Sequence, residues 1–80
     1  MIDIRLKVFR SVATNLSFTK ASQELFISQP AISKHIQELE REFSTRLFDR
    51  LGNKIQLTSA GKLLLDHSVR IQKDYQRLDF

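Results

Sequence analysis

Polar side chains suited to binding an anion are concentrated at the front of one predicted helix, which runs from Pro30 to about Phe43. At about 100° per residue, four apolar residues form a narrow stripe that we expect to be buried: Ile32, Ile36, Leu39 and Phe43. Positions 29–37 hold no acidic residue, and the acids come later, at Glu38, Glu40 and Glu42. Because the dipole and free N–H groups of a helix N-terminus favour anions, this pattern predicts that the front of the helix approaches phosphates.

The overall charge supports an anionic partner. The 80 residues include 13 Lys and Arg against 9 Asp and Glu, a net charge of +4. Residues 1–58 hold nine basic and six acidic residues (+3), whereas residues 59–80 hold four and three (+1). The excess of basic residues therefore lies mainly in the first 58 residues and indicates an anionic partner for that part of the chain.

Composition also excludes several classes of protein. There is no Cys, so disulfide scaffolds, thiol nucleophiles and Cys-based metal sites are excluded. The longest apolar runs are three residues, too short to span a membrane. No arrangement typical of catalysis or of a phosphate-binding loop is present. We therefore expect a soluble, intracellular domain that is not an enzyme, has no cofactor and no metal, and does not bind a membrane.

Two helices are predicted before the polar one. Apolar residues at helical spacing predict the first helix roughly from Asp3 to Asn15, and a second from about Phe18 to Phe26. Ser17 or Thr19 can cap the second helix.

Pro30 marks the start of the third helix, since its missing N–H costs nothing in a first turn. The residue before a proline is pushed toward an extended conformation, so we expect Gln29 to be extended. Either Ser28 or Gln29 is then the N-cap.

The remainder of the chain predicts a hairpin and a long helix. Short alternating runs flank Gly52-Asn53, a pair that can take positive φ, and Arg50 and Lys54 lie on either side of the tip. Two strands alone are marginal, so the hairpin must pack on the helices. Thr58 can cap a last helix in which apolar residues recur every seven positions, the period of a helix–helix seam: Leu64, Ile71 and Leu78. The same residues could instead pack on the first helix of their own chain.

These features, together with specific short motifs, resemble the DNA-binding domain of LysR-type bacterial transcriptional regulators. Over about residues 1–65, the motifs that carry the resemblance are SFTKAS (17–22), ISQPAIS (27–33), LE (39–40), LFDR (47–50) and LTSAG (57–61). The resemblance implies a mainly α fold: a winged helix-turn-helix over residues 1–58, with the helix-turn-helix at about 18–37 and the wing at about 46–58. It also implies a linker and dimerisation helix over 59–80, and an effector-binding domain that is absent from this chain.

The resemblance assigns roles to individual residues. Base contacts fall on Gln29, Pro30, Ser33 and Lys34. Contacts to the DNA backbone fall on Ser17, Thr19, Lys20, Ser28, Gln37 and Thr58. The wing residues Arg50 and Lys54 would follow the minor groove. Pro30 could equally serve the helix start alone, and Arg50 could pair with Asp49 or Glu42. Because the family commonly has Gly at position 44, Ser44 predicts a less sharply stopped third helix.

The resemblance implies sequence-specific binding of double-stranded DNA by a bacterial, cytoplasmic and nucleoid-associated protein. The partners would be a pseudo-palindromic operator, a second copy bound through the linker helix, and RNA polymerase in the intact regulator, with no effector site in this fragment. Two alternatives remain open: a winged-helix module that binds a protein, and a non-specific architectural DNA binder. The acid-free front of the third helix favours a DNA partner over a protein, and its short polar side chains favour base reading over non-specific binding.

Overall fold

The computed structural model describes residues 3–77, except for the side chains at positions 72, 75 and 77. The elements in chain order are α1 (Ile4–Asn15), α2 (Phe18–Leu25), α3 (Gln29–Phe43), β1 (Phe48–Leu51), β2 (Lys54–Leu57) and α4 (Ser59–Arg77). The strands form an antiparallel hairpin, the wing, which follows the helix-turn-helix pair α2 and α3. The predicted mainly helical winged helix-turn-helix is confirmed. No helix of this described part is long and apolar enough to cross a membrane. Leu78 lies outside the described residues.

Side-chain caps start all four helices. Asp3 accepts a hydrogen bond from the Arg5 N–H at 2.8 Å, and Ser17 accepts one from the Lys20 N–H at 3.0 Å. Ser28 and Thr58 do the same for α3 and α4. Each cap satisfies a backbone donor that has no partner within the helix. Of the two caps predicted as alternatives for α2, the structure therefore uses Ser17.

The prediction that Gln29 is extended was wrong. Gln29 is the first residue of α3, and Ser28, with φ −62° and ψ 150°, is the N-cap. The Ser28 carbonyl accepts the Ile32 N–H at 3.0 Å, and its hydroxyl accepts the Ala31 N–H at 3.3 Å. These two bonds place the helix start one residue earlier than Pro30 alone suggests and outweigh the preference of a pre-proline residue for extended backbone.

Three helices end at a non-glycine residue whose backbone lies in the left-handed region. The φ angles of Leu16, Phe26 and Ser44 are 49°, 57° and 53°. The expectation that Ser44 would stop α3 less sharply was wrong. Its N–H bonds to the Arg41 carbonyl at 3.2 Å, and the next N–H bonds to the Glu40 carbonyl at 3.1 Å. These bonds satisfy carbonyls at the end of the helix and hold a conformation that glycine would adopt without strain.

The core joins α1, α3 and the wing. Val8, Phe9, Val12 and Ile32 are completely buried, and the Phe9 and Phe48 rings lie 5.4 Å apart. Three residues of the predicted α3 stripe are buried, but Phe43 is 49% exposed, so its placement in the core was wrong. Phe43 lies in the last turn of α3 and instead borders an apolar groove against α4, of about 250 Å³.

A polar cluster joins α1 to α2. The carboxylate of Glu24 accepts hydrogen bonds from the Ser11 hydroxyl and from the Asn15 amide, the latter at 2.8 Å. These bonds, the Ser11 bond first, lower the pKa of Glu24 below its ordinary value. Because the folded-state pKa is depressed, the bonds stabilise the fold above the unfolded-state pKa of Glu24. That stabilisation is lost as the pH falls through the folded-state value.

We expect Ser11→Ala to raise the pKa of Glu24 toward its ordinary value, because the variant removes the hydrogen bond that lowers this pKa the most. An NMR titration of the Glu24 carboxyl measures this directly. Ser68→Ala is the matched control, since Ser68 is also buried but donates to the Leu65 carbonyl. An unchanged Glu24 pKa in Ser11→Ala would contradict the assignment.

Candidate nucleic-acid interface

The front of α3 presents its polar side chains to solvent. Gln29, Pro30, Lys34 and Gln37 are exposed and Ser33 is half-buried, while Ile32, Ile36 and Leu39 are buried on the opposite side. The core therefore fixes which face of α3 is presented. Hydroxyl, amide and ammonium groups on this face supply donors and acceptors of the kinds that base edges and phosphates require.

The first turn of α2 forms a second part of this surface. Thr19 and Lys20 are exposed, and Ser17 is half-buried as the cap. As caps, the hydroxyl oxygens of Ser17 and Ser28 accept from backbone N–H groups. A hydroxyl that accepts in this way retains a proton that it can donate to a phosphate oxygen.

The wing turns through a two-residue loop. Leu51 pairs with Lys54, and Gly52 has a φ of 64°. Among residues 3–77, no other residue of the loop has positive φ, which agrees with the φ signs of a type II′ turn. Lys54 is exposed beside this loop. The tip is therefore tightly turned and carries one exposed ammonium group.

Arg50 pairs with neither Asp49 nor Glu42, the two partners considered from the sequence. Glu42 instead bonds to Arg5, with Nη1 and Oε2 2.9 Å apart. The Arg50 guanidinium lies over the Phe18 ring, with Cζ 5.1 Å from the ring centroid. This cation–π contact holds Arg50 at the start of α2 and so connects the wing to the helix-turn-helix.

The structure brings several predicted site residues together in one groove. Ser33 and Gln37 of α3 and Arg50 of β1 line a groove of about 330 Å³. Arg46 also lines it and was missed from the sequence, because it precedes β1 and belongs to no periodic pattern. Lys54 does not line this groove. The helix-turn-helix and the wing thus share a basic, polar concave surface.

A comparison with known protein families identifies the family that combines this helix-turn-helix with a wing. Residues 4–62 match the family described as bacterial regulatory helix-turn-helix protein, lysR family. The chain belongs to the LysR family. It is a LysR-type helix-turn-helix DNA-binding domain, as the motifs predicted.

Relatives and solved structures agree with this assignment. A probable RuBisCO transcriptional regulator from Thalassiosira pseudonana is 46% identical over 67 residues, which cover 84% of this chain and 22% of that protein. A solved LysR-family regulator from Eggerthella lenta is 45% identical, with a TM-score of 0.78 over 84% of this chain and 96% of that one. The CbnR DNA-binding domain, solved in complex with DNA, is 33% identical, with a TM-score of 0.89 over 99% of this chain and 91% of that one.

Within this LysR-type domain, Thr58 has a structural role that sequence reasoning did not separate from DNA contact. Its hydroxyl donates to the Arg46 carbonyl at 2.7 Å and accepts the Gly61 N–H at 3.0 Å. A phosphate oxygen only accepts, so the predicted contact would require Thr58 to give up its bond to Arg46. The contact of Thr58 with DNA stays a prediction, while its bonds tie the wing to α4.

Proposed function

We propose that this LysR-type domain binds double-stranded DNA sequence-specifically, as a homodimer on a pseudo-palindromic operator, and so controls transcription within a cytoplasmic regulator. The observation that carries the proposal is the exposed, acid-free front of α3 beside a basic wing. The DNA complex of the CbnR domain supports it, since that domain shares the fold at a TM-score of 0.89. Contact with RNA polymerase would belong to the intact regulator.

Base reading falls to the front of α3 in the major groove. Gln29 offers a donor and an acceptor together, which suits the N6 and N7 atoms of adenine. Ser33, one turn further on, is short enough for close approach, and Lys34 suits guanine. Pro30, exposed beside them, supplies apolar contact for a thymine methyl. All four contacts fit the geometry of a recognition helix that enters the groove with its N-terminus.

Backbone contacts fix the register of this helix without reading sequence. We place them on Ser17, Thr19, Lys20, Ser28 and Gln37. Lys54, exposed at the wing tip, would lie over the minor groove, where the negative potential of A·T-rich DNA attracts cations. Such contacts release counterions, so they set the dependence of affinity on salt.

Dimerisation is proposed through α4. Leu64 is half-buried and packs against the core of its own chain. Ile71 is 47% exposed and Leu63 is 60% exposed, which leaves apolar surface on α4 for a second copy. Two copies would place their recognition helices in major grooves separated by whole helical turns.

We expect Gln29→Ala or Ser33→Ala to cost about 1–3 kcal/mol of binding free energy on the preferred site. The loss should relax the preference at one position in each half-site, because only one base pair loses its partner. Fluorescence anisotropy on the preferred site and on its single-base variants measures both effects. Gln76→Ala is the matched control on α4, where Gln76 is exposed and distant in sequence from the recognition helix. Equal weakening on every sequence would show that these residues do not read bases.

Lys54→Ala should weaken binding to every sequence and lower the slope of log affinity against log salt by about 1. The reason is that a phosphate-facing ammonium group releases about one counterion and carries no base information. Titrations at several salt concentrations give the slope, with Lys73→Ala, an exposed lysine on α4, as the control. A slope equal to that of the wild type would remove Lys54 from the interface.

A further inference from the structure

A groove lies between the helix-turn-helix and the wing. We call it the wing groove. Its lining includes Phe18, Ser33, Gln37, Glu40, Arg46 and Arg50, and its volume is about 330 Å³. It therefore combines the start of α2, the polar face of α3 and the base of the wing in one concave surface.

Arg50 is held in place on one wall of this groove. Its guanidinium lies 5.1 Å from the centroid of the Phe18 ring. The Phe18 ring packs edge-on against the Phe48 ring, with their centroids 6.0 Å apart. Phe48 is only 3% exposed. The guanidinium thus rests on a ring fixed by the core, and its N–H donors, which lie in the plane of the group, stay available.

The charges of Arg46 and Glu40 compensate each other in the same groove. Arg46 donates from Nη2 to the Phe48 carbonyl at 3.3 Å, and its Nε lies 3.8 Å from Glu40 Oε2. The Glu40 carboxylate also accepts the Leu47 N–H at 2.8 Å. Among residues 3–77, no acidic group forms an ion pair with Arg50. The positive charge of Arg50 is therefore the one left uncompensated in the groove.

We propose that the wing groove binds one phosphate of the DNA backbone and that Arg50 is its principal ligand. This inference rests on the proposed DNA-binding function. Gln37 lines the facing wall, where its amide can donate to the same phosphate. In this contact Arg50 positions the protein on DNA and does not read bases, because a phosphate held between α3 and the wing fixes the recognition helix relative to the wing. It replaces the minor-groove role expected from the sequence, which is left to Lys54.

The test compares Arg50→Gln with Arg50→Lys and with Arg70→Gln in the 80-residue chain. Arg70 is a matched control because it is 66% exposed on α4, away from the groove. We expect Arg50→Gln to weaken binding on the order of tenfold on preferred and scrambled duplexes alike, and to lower the salt slope by about 0.9. Arg50→Lys keeps the charge but loses the planar guanidinium with its several donors, so it should weaken binding less and keep the wild-type slope.

A scan with single neutral methylphosphonates locates the phosphate. In the wild type, one methylphosphonate in each half-site should weaken binding, and in Arg50→Gln the same substitution should have no further effect. An unchanged salt slope in Arg50→Gln would overturn the inference, as would a methylphosphonate effect that is the same in Arg50→Gln as in the wild type. Either result leaves the proposed function standing. A wild-type chain that binds no duplex at low salt would instead overturn the proposed function.

Discussion

Replacing Gly61 with alanine is expected to destabilise the domain by about 3 kcal/mol. A Cβ at this position would overlap the carbonyl oxygen of Leu47 and lie 2.8 Å from Cδ2 of Leu57. The Leu47 carbonyl cannot retreat freely, because it accepts the Thr58 N–H at 3.1 Å. The variant must therefore push α4 away from the wing.

Chemical denaturation followed by circular dichroism measures this loss, and Ser59→Ala, an exposed substitution in the same turn of α4, is the control. The sign of the effect is decisive. A glycine-to-alanine change inside an unconstrained helix stabilises it by about 1 kcal/mol. A stabilised Gly61→Ala variant would show that α4 does not approach the wing as closely as the structure indicates.

Replacing Phe9 with alanine is expected to cost about 3–5 kcal/mol of unfolding free energy. Phe9 is completely buried, and its ring lies 5.4 Å from that of Phe48 at an interplanar angle of 45°. The cavity would lie between α1 and the wing, so the loss removes the support of β1 as well as apolar burial. Since small domains have only about 5–15 kcal/mol of stability, this variant approaches the limit of folding.

Phe26→Ala provides the matched comparison, because the Phe26 side chain is 94% exposed. That variant should change the unfolding free energy by no more than about 0.5 kcal/mol. Comparable losses in Phe9→Ala and Phe26→Ala would contradict the assignment of the core to α1, α3 and the wing.

Local patterns were sufficient to predict most of the fold. The four-residue spacing of Ile32 and Ile36 predicted the buried side of α3, and Gly52-Asn53 predicted the turn of the wing. Periodicity alone could not place Phe43, because burial also depends on where a neighbouring element ends. The preference of a pre-proline residue for extended backbone led to a wrong prediction for Gln29, because the cap provided by Ser28 outweighs that preference.

The site was predicted less completely than the fold. The exposed side of α3 follows from its buried stripe, which leaves Ser33 and Lys34 on the opposite side, while base contact by these residues and by Gln29 stays a prediction. The contact between Arg50 and Phe18 joins residues far apart in the chain, and no spacing rule connects them. For the same reason the sequence does not show that the Phe18 ring supports a guanidinium at the surface.

We propose that this LysR-type domain reads DNA sequence as a two-fold dimer. The most direct test of this proposal is selection from a pool of randomised duplexes, with fluorescence anisotropy on the enriched sequences at two salt concentrations. We expect an enriched two-fold-related motif whose binding weakens steeply as salt rises. No enriched motif, or no binding at low salt, would contradict it.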